Sequence, residues 1–354
     1  MLIGGLIYFF KNILFFFIIL FTIFNLFHLH AETVIKLPEH HNQDGTFKNT
    51  NGFSNDRSFR EMLKWNRERK NINVEPIQFP TKEPDFKIIN DYKSHLSVTW
   101  IGHASFLYQN KDINILLDPH FTERASPLSF VGPKRYMPAG MKIEKLPKID
   151  VVAISHNHYD HLDYKTVKFL SDRSSETIFL VPLGLKQWFN KNNIMNVREL
   201  DWWGTIEISN TKIVFVPVQH WSARGIFDRN ESLWGGWHFK NSYHSFIHLG
   251  DTGYTDDFKE IEKKLESVDL AAIPIGAYEP RWFMKFSHMN PAEAVQAFID
   301  LKAKRAIGMH WGTFILTDEP VDEPINRLDE EKLKLGIQKD SFFTLLHGET
   351  LLLE

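Results

Sequence analysis

The chain has 354 residues, with 41 basic residues against 44 acidic ones and no cysteine. That length suits one large α/β domain or two small ones. Balanced charge without a long basic stretch argues against a nucleic-acid partner. Without cysteine, disulfides and thiolate metal sites are excluded, so any metal must rest on His, Asp or Glu.

Residues 1–31 differ from the rest. Lys11 is followed by an uncharged stretch over 12–27 dominated by Ile, Leu and Phe, and Ala31 follows shortly after. This describes a secretory signal peptide or, if it is not cleaved, a single membrane anchor, which needs ~17–25 apolar residues. The expectation is an exported or membrane-anchored protein, on the extracytoplasmic face if bacterial. Residues 32–95 read as an irregular lead-in. Within it, 40–55 is rich in Asn, Gly, Thr and Ser, and 57–70 has a short amphipathic helical pattern carrying six basic residues. That helix is expected to lie on the main domain with its charges solvated; a role at a membrane surface is the alternative.

From 96 to the C-terminus strands and helices alternate, which predicts one α/β domain with mixed sheets. Strands are expected at 97–101 and 105–108 around Gly102-His103, at 113–117 before Asp118-Pro119, and at 151–154, 177–181, 211–218, 245–249, 270–275 and 305–309. Helices are expected at 165–170 and 291–301, the second opened by Asn290-Pro291.

The densest feature is 155–163, Ser-His-Asn-His-Tyr-Asp-His-Leu-Asp, directly after the apolar run 151–154. It packs four potential ligands, His156, His158, Asp160 and His161, into six residues. His220, Asp251 and His310 likewise follow apolar runs. Strand ends are where a rigid sheet aims side chains into a shared cleft. A pair of divalent metal ions and a hydrolytic reaction account for the cluster. Ligands of this kind suit zinc, and also iron or manganese.

These motifs resemble the metallo-β-lactamase superfamily, whose fold is an αββα four-layer sandwich binding two metals between its sheets. The blocks 118–127, 219–221, 250–254, 275–284, 288–291 and 309–314, in that order, resemble the N-acylphosphatidylethanolamine-hydrolysing phospholipase D branch. The match runs from about residue 95 onward; the block Gly276-Ala277-Tyr278-Glu279-Pro280-Arg281-Trp282-Phe283-Met284 is its most specific part. The resemblance implies that His156, His158 and His220 hold one metal, that Asp160, His161 and His310 hold the other, and that Asp251 bridges them. It implies a metal-bridging hydroxide attacking a phospholipid phosphodiester at a membrane surface, releasing N-acylethanolamine and phosphatidic acid. It also puts His288 beside the phosphodiester, as a contact or proton donor, and Tyr278 on the substrate side.

Blander readings stand beside these. Asp118 is expected to orient a ligand histidine through its ring N–H rather than bind metal. His103 has a fold-internal reading as good as an active-site one. Asp163 reads at least as well as a helix cap, and His248, inside a strand, as structural. The tryptophans at 202–203 and 234–237 read as packing, with an acyl groove as the alternative. A lactonase or other carbonyl hydrolase on the same metals is the first rival function. A non-catalytic metal- or lipid-binding protein is the second.

Overall fold

The computed structural model describes residues 37–53, 57–69, 77–91, 96–265 and 268–353. The expected leader over 1–31 lies outside the described residues, among which no helix is long and apolar enough to cross a membrane. The chain divides into two units, 1–41 and 42–354. Of the first, only 37–41 is described, a turn in which the His41 amide donates to the Pro38 carbonyl at 2.9 Å.

The second unit holds two seven-stranded sheets. The first contains β1 (Leu96–Gly102), β2 (Ser105–Asn110), β3 (Ile113–Leu117), β4 (Val151–Ala153), β5 (Ile178–Pro182) and β6 (Val197–Leu200). The second contains β7 (Thr205–Ile208), β8 (Thr211–Val216), β9 (Gly236–Lys240), β10 (Ser245–His248), β11 (Leu270–Pro274), β12 (Arg305–Met309) and β13 (Phe342–Thr344). The C-terminal β14 (Thr350–Leu353) returns to pair antiparallel with β1, Val98 opposite Leu351. Both sheets follow one plan. Antiparallel neighbours lead into parallel ones, through β3 in the first sheet and β10 in the second. The halves share this plan without a readable sequence repeat.

Side-chain alternation explains the layering. In β3, Ile113, Ile115 and Leu117 join the large core, while Leu116 joins a second core with Val152, Val181 and Phe179. That second core is completed by Val167 and Leu170 of α3 (Tyr164–Arg173) and Phe189 of α4 (Lys186–Lys191). The large core takes in Phe258, Val295 and Leu328 from α5 (Asp257–Leu265), α7 (Pro291–Asp300) and α8 (Glu323–Lys334), with the single-turn α6 (Arg281–Met284) between α5 and α7. The result is the expected αββα sandwich. Helix starts obey local rules: Asp163 caps α3, and Asn290 with Glu293 forms a capping box on α7.

The lead-in carries two short helices, α1 (Phe59–Glu68) and α2 (Phe86–Asp91). As expected, α1 rests on the main domain: the Trp65 ring stacks on Phe283 at 5.0 Å and its Nε1 donates to Asp318 at 2.9 Å. Met62 and Leu63 stay exposed. The strand expected over 211–218 stops at Val216, and the short strands β6, β7, β9, β13 and β14 were not foreseen. Two of them, β6 and β7, carry charged residues that break a hydrophobic run.

Candidate metal centre

Strand ends at one edge of the sandwich carry the site. Asp118 directly follows β3, His156 follows β4, His220 follows β8, Asp251 follows β10 and His310 directly follows β12. His103, Asp118 and His310 have φ values of 55°, 38° and 62°, in the left-handed region. Such backbone costs roughly 1–3 kcal/mol per residue and persists where the surroundings over-determine it. Glycine serves the same end at Gly250 (φ 62°), where a Cβ would lie 2.7 Å from the Ser155 Cβ. The sheets thus meet closely beside Asp251.

Hydrogen bonds decide which ring nitrogens face the centre. His220 Nδ1 lies 3.0 Å from the Ser287 carbonyl, which can only accept, so Nε2 presents its lone pair inward. His161 Nδ1 donates to Asp118 Oδ2 at 2.8 Å, with the same consequence. Ser155 donates both its amide and its hydroxyl to Asp118, at 2.6 Å each. Its hydroxyl oxygen then accepts from His156 Nδ1 at 2.9 Å. One buried carboxylate therefore sets the tautomers of two histidines, directly for His161 and through Ser155 for His156. This is the role expected of Asp118; that Ser155 relays it was legible only as a polar residue heading the motif.

Two groups of inward atoms result. His156 Nε2 and His220 Nε2 approach His158 Nδ1 at 2.8 and 3.2 Å. Three ring nitrogens that converge in this way cannot all be satisfied by protons, whereas one divalent cation satisfies them together. In the second group, Asp160 Oδ2 lies 3.4 Å from both His161 Nε2 and His310 Nε2. Asp251 spans the two groups: it is 3.1 Å from both His161 and His310, and 3.9 Å from His156 and His220. Asp251 Oδ1, His161 Nε2 and His310 Nε2 are buried without an aligned hydrogen bond, so their lone pairs point at a common space rather than at one another. The donor set thus fits two divalent ions, and these residues can hold them.

The electrostatics agree. Burial alone would raise Asp160 and Asp251, yet positive charge on the neighbouring rings, His161 first, with His103 and His310 beside Asp160 and His310 beside Asp251, holds both well below the usual carboxylate range; protons on those rings there take the place of metal ions. Burial opposes charge on His310 too, but Asp251 and Asp160 push it up to about 9. The buried carboxylates demand positive charge in their midst, which metal ions supply.

The surrounding residues complete the picture. His103 Nε2 sits 2.9 Å from Asp160 Oδ2, so His103 belongs to the site rather than only to the fold. Its amide donates to Thr313 Oγ1 at 2.6 Å, and Thr313 is in turn 2.9 Å from buried His347. His288 Nδ1 is 3.9 Å from Asp251 Oδ2. Burial pushes His288 down to about 4, so it is a neutral imidazole at neutral pH and contributes an N–H or a lone pair, not a cationic acid. Arg281 fixes the His288 loop by donating to the His288 carbonyl at 2.9 Å while pairing with Glu293 at 2.6 Å. Tyr278 is not brought to the centre. It is buried with its hydroxyl donating to Glu323 at 2.8 Å, and its neighbour Ala277 borders the cleft instead. The tight packing of this block against Glu319, which accepts the amides of Ala277, Tyr278 and Glu279, accounts for the displacement.

His248 is structural as expected, its Nε2 donating to the Ala104 carbonyl at 2.9 Å. Trp234 and Trp237 are core residues, so the acyl-groove alternative fails for them. The lead-in, to which the motifs assigned no part, supplies Asn49. Its side chain exchanges two 3.0 Å hydrogen bonds with the His220 backbone. No ligand-type signal marks such a residue; its position inside a polar loop hides it.

Above the centre lies a cavity of about 690 Å³. His158, Asp160, Asp251 and His288 form its floor; Met62 and Trp65 of α1, Trp221, Ile226, Met284 and Leu316 give it apolar walls.

The profile of the Beta-lactamase superfamily domain matches residues 113–311. The chain belongs to the metallo-β-lactamase superfamily. It is 43% identical over 269 residues to N-acyl-phosphatidylethanolamine-hydrolyzing phospholipase D 1 of Caenorhabditis elegans, covering 73% of this chain and 76% of that one. A mitochondrial enzyme of the same description from Saccharomyces cerevisiae is 35% identical over 240 residues, covering 65% of this chain and 50% of that one. Among solved structures, a metallo hydrolase from Ignicoccus hospitalis superposes with a TM-score of 0.57 at 20% identity, covering 74% of this chain and 99% of that one. That likeness concerns the fold. Within the superfamily the chain resembles the phospholipase branch, and it is a metal-dependent hydrolase.

Proposed function

We propose that this superfamily member cleaves phospholipid phosphodiesters in the manner of a phospholipase D, turning N-acylphosphatidylethanolamine into N-acylethanolamine and phosphatidic acid. The observation that carries the reading is a large apolar-walled cavity whose floor, at His158, Asp160 and Asp251, opens onto a convergent set of His and Asp ligands. An amphiphile with one anionic group and long apolar arms suits both parts. Two of the relatives are described as N-acyl-phosphatidylethanolamine-hydrolyzing phospholipase D.

In this reading His156, His158 and His220 hold one ion, Asp160, His161 and His310 the other, and Asp251 both. Zinc suits an all-imidazole and carboxylate set without a thiolate. When bound, the two ions activate water and neutralise charge on the phosphoryl group. The chain's own residues do the rest. Asp118 and Ser155 keep the ligand rings in the right tautomer. His103 steadies Asp160. His288, neutral and facing the cavity, hydrogen-bonds the phosphodiester. The walls exclude bulk water. In the balanced reaction the water oxygen ends on phosphatidic acid, the bond from phosphorus to the ethanolamine oxygen breaks, and that oxygen takes a proton. The apolar segment over 1–31 supports export or anchoring beside a bilayer, where such a substrate resides.

The test is lipid-product mass spectrometry on metal-loaded protein offered N-acylphosphatidylethanolamine and, separately, a long-chain lactone. Release of N-acylethanolamine, lost in the His156→Ala and Asp251→Asn variants, is the expected result. Turnover of the lactone alone would sink the reading. Lipid binding without turnover of either would leave a binding protein.

A further inference from the structure

The turn at 224–229 presents two adjacent large apolar side chains to solvent, Ile226 at 89% and Phe227 at 92% exposure. The turn is not loose. The Asp228 carboxylate accepts the amides of Arg224 at 3.0 Å and Gly225 at 2.7 Å. Arg224 ties its base to the body of the fold, donating to the Asn157 and Leu162 carbonyls at 2.8 Å each. Its own carbonyl accepts the Tyr159 hydroxyl at 2.7 Å. A braced turn that holds two hydrophobes outward bears a continuing cost in water.

Two further observations say what covers it. Ile226 borders the mouth of the cavity above the metal centre, so the tip is continuous with the surface a lipid must cross. Across the same mouth stands α1, with exposed Met62 bordering the opening and exposed Leu63 beside it. Residues 57–69 carry five basic side chains against two acidic ones, and Arg60, Lys64 and Arg67 are exposed. Apolar tips at the mouth, with cationic side chains exposed on the helix across it, match a bilayer with anionic headgroups.

We propose that the 225–228 turn inserts into the lipid bilayer and, with the exposed side of α1, seats the mouth of the cavity on the membrane, so that substrate enters from lipid rather than water. This rests on the phospholipid reading of the site, but the insertion itself is measurable without turnover.

The chain lacks cysteine, so Phe227→Cys offers a single labelling position in the full chain. Labelled there with an environment-sensitive fluorophore, the protein is mixed with phosphatidylcholine–phosphatidylglycerol vesicles, with and without a lipid-borne quencher. Leu333→Cys, also exposed, on α8 (80%), is the reference. The expected result is a blue-shifted, quenchable signal at 227 and an aqueous one at 333. An aqueous signal at 227 on vesicle-bound protein overturns the proposal, and the hydrophobic segment over 1–31 cannot mask that outcome, because it does not move the label. A signal that shifts with protein concentration before any vesicle is added also overturns it, assigning the turn to a second copy of the chain. Kinetics provide the second arm. Phe227→Ser slows turnover of vesicle-held substrate roughly tenfold, the effect of losing one buried phenyl ring. Turnover of a short-chain substrate dispersed as monomers stays unchanged. If neither substrate is turned over while 227 enters lipid, the phospholipase reading fails and the docking surface stands.

Discussion

The floor and the rim of the cavity are built on opposite principles. On the floor His156, His161 and His220 are buried, and each has a second hydrogen bond that fixes its orientation, as in the line from His156 through Ser155 to Asp118 and back to His161. At the rim, Met62, Leu63, Ile226 and Phe227 are exposed apolar side chains. They stand on a helix and a braced turn that are tied to the fold while these side chains face water. A misplaced floor ligand loses the chemistry, so its position is over-determined. The rim needs only apolar area in roughly the right place, so it can vary in detail while serving the same end.

The sharpest way to break this contrast is at Asp251. Asp251→Asn removes a negative charge from the centre of two ligand groups, and chelation removes what that charge binds. Each is expected to lower turnover on the order of a thousandfold, roughly 4 kcal/mol of transition-state stabilisation. Bound metal, measured by elemental analysis, should fall as well. Full metal content with full activity in Asp251→Asn would show that the floor does not depend on the residue joining its halves.

Asp118→Asn tests the orienting layer. An amide there can place a donor against the His161 Nδ1–H, so metal affinity or turnover is expected to drop about 10–100-fold, as for other groups that orient ligands. Circular dichroism should be unchanged. An effect under twofold would mean the rings are held by packing alone.

His347 tests the support beneath His103. Burial pushes it down to about 3, against an ordinary value of about 6.5. Between those values the unfolded chain binds the extra proton, so this contribution to stability is full above pH 6.5 and declines as pH falls toward 3. About 2 kcal/mol is lost by pH 5. Urea titrations at pH 7 and pH 5 should show a smaller difference for His347→Gln than for the parent. Equal pH dependence in both would dissociate His347 from acid sensitivity.

The smallest effect belongs to the rim. Met62→Ser should raise KM for long-chain substrate severalfold, about 1 kcal/mol of apolar contact, and leave kcat and short-chain turnover alone. A matching fall in kcat would place Met62 in the chemistry and blur the distinction.

The sequence by itself determined the chemistry. The run from His156 to His161, with His220, Asp251 and His310 after apolar strands, names the ligand types, the lack of cysteine excludes thiolate, and the strand pattern predicts an α/β domain with mixed sheets, because strand periodicity and metal preference are local properties of residue type; the sandwich followed from the family resemblance. Only the tertiary structure decided how those groups are held and what lies over them. Asn49 braces the His220 backbone from 171 residues away, and Ser287 turns the His220 ring from another loop. Tyr278, inside the most specific block, faces Glu323 instead of substrate. The lead-in, read as irregular, furnishes a wall of the cavity. A backbone carbonyl, a bracing amide or an exposed methionine carries no signature in a linear pattern, since its role depends on what the fold brings opposite it.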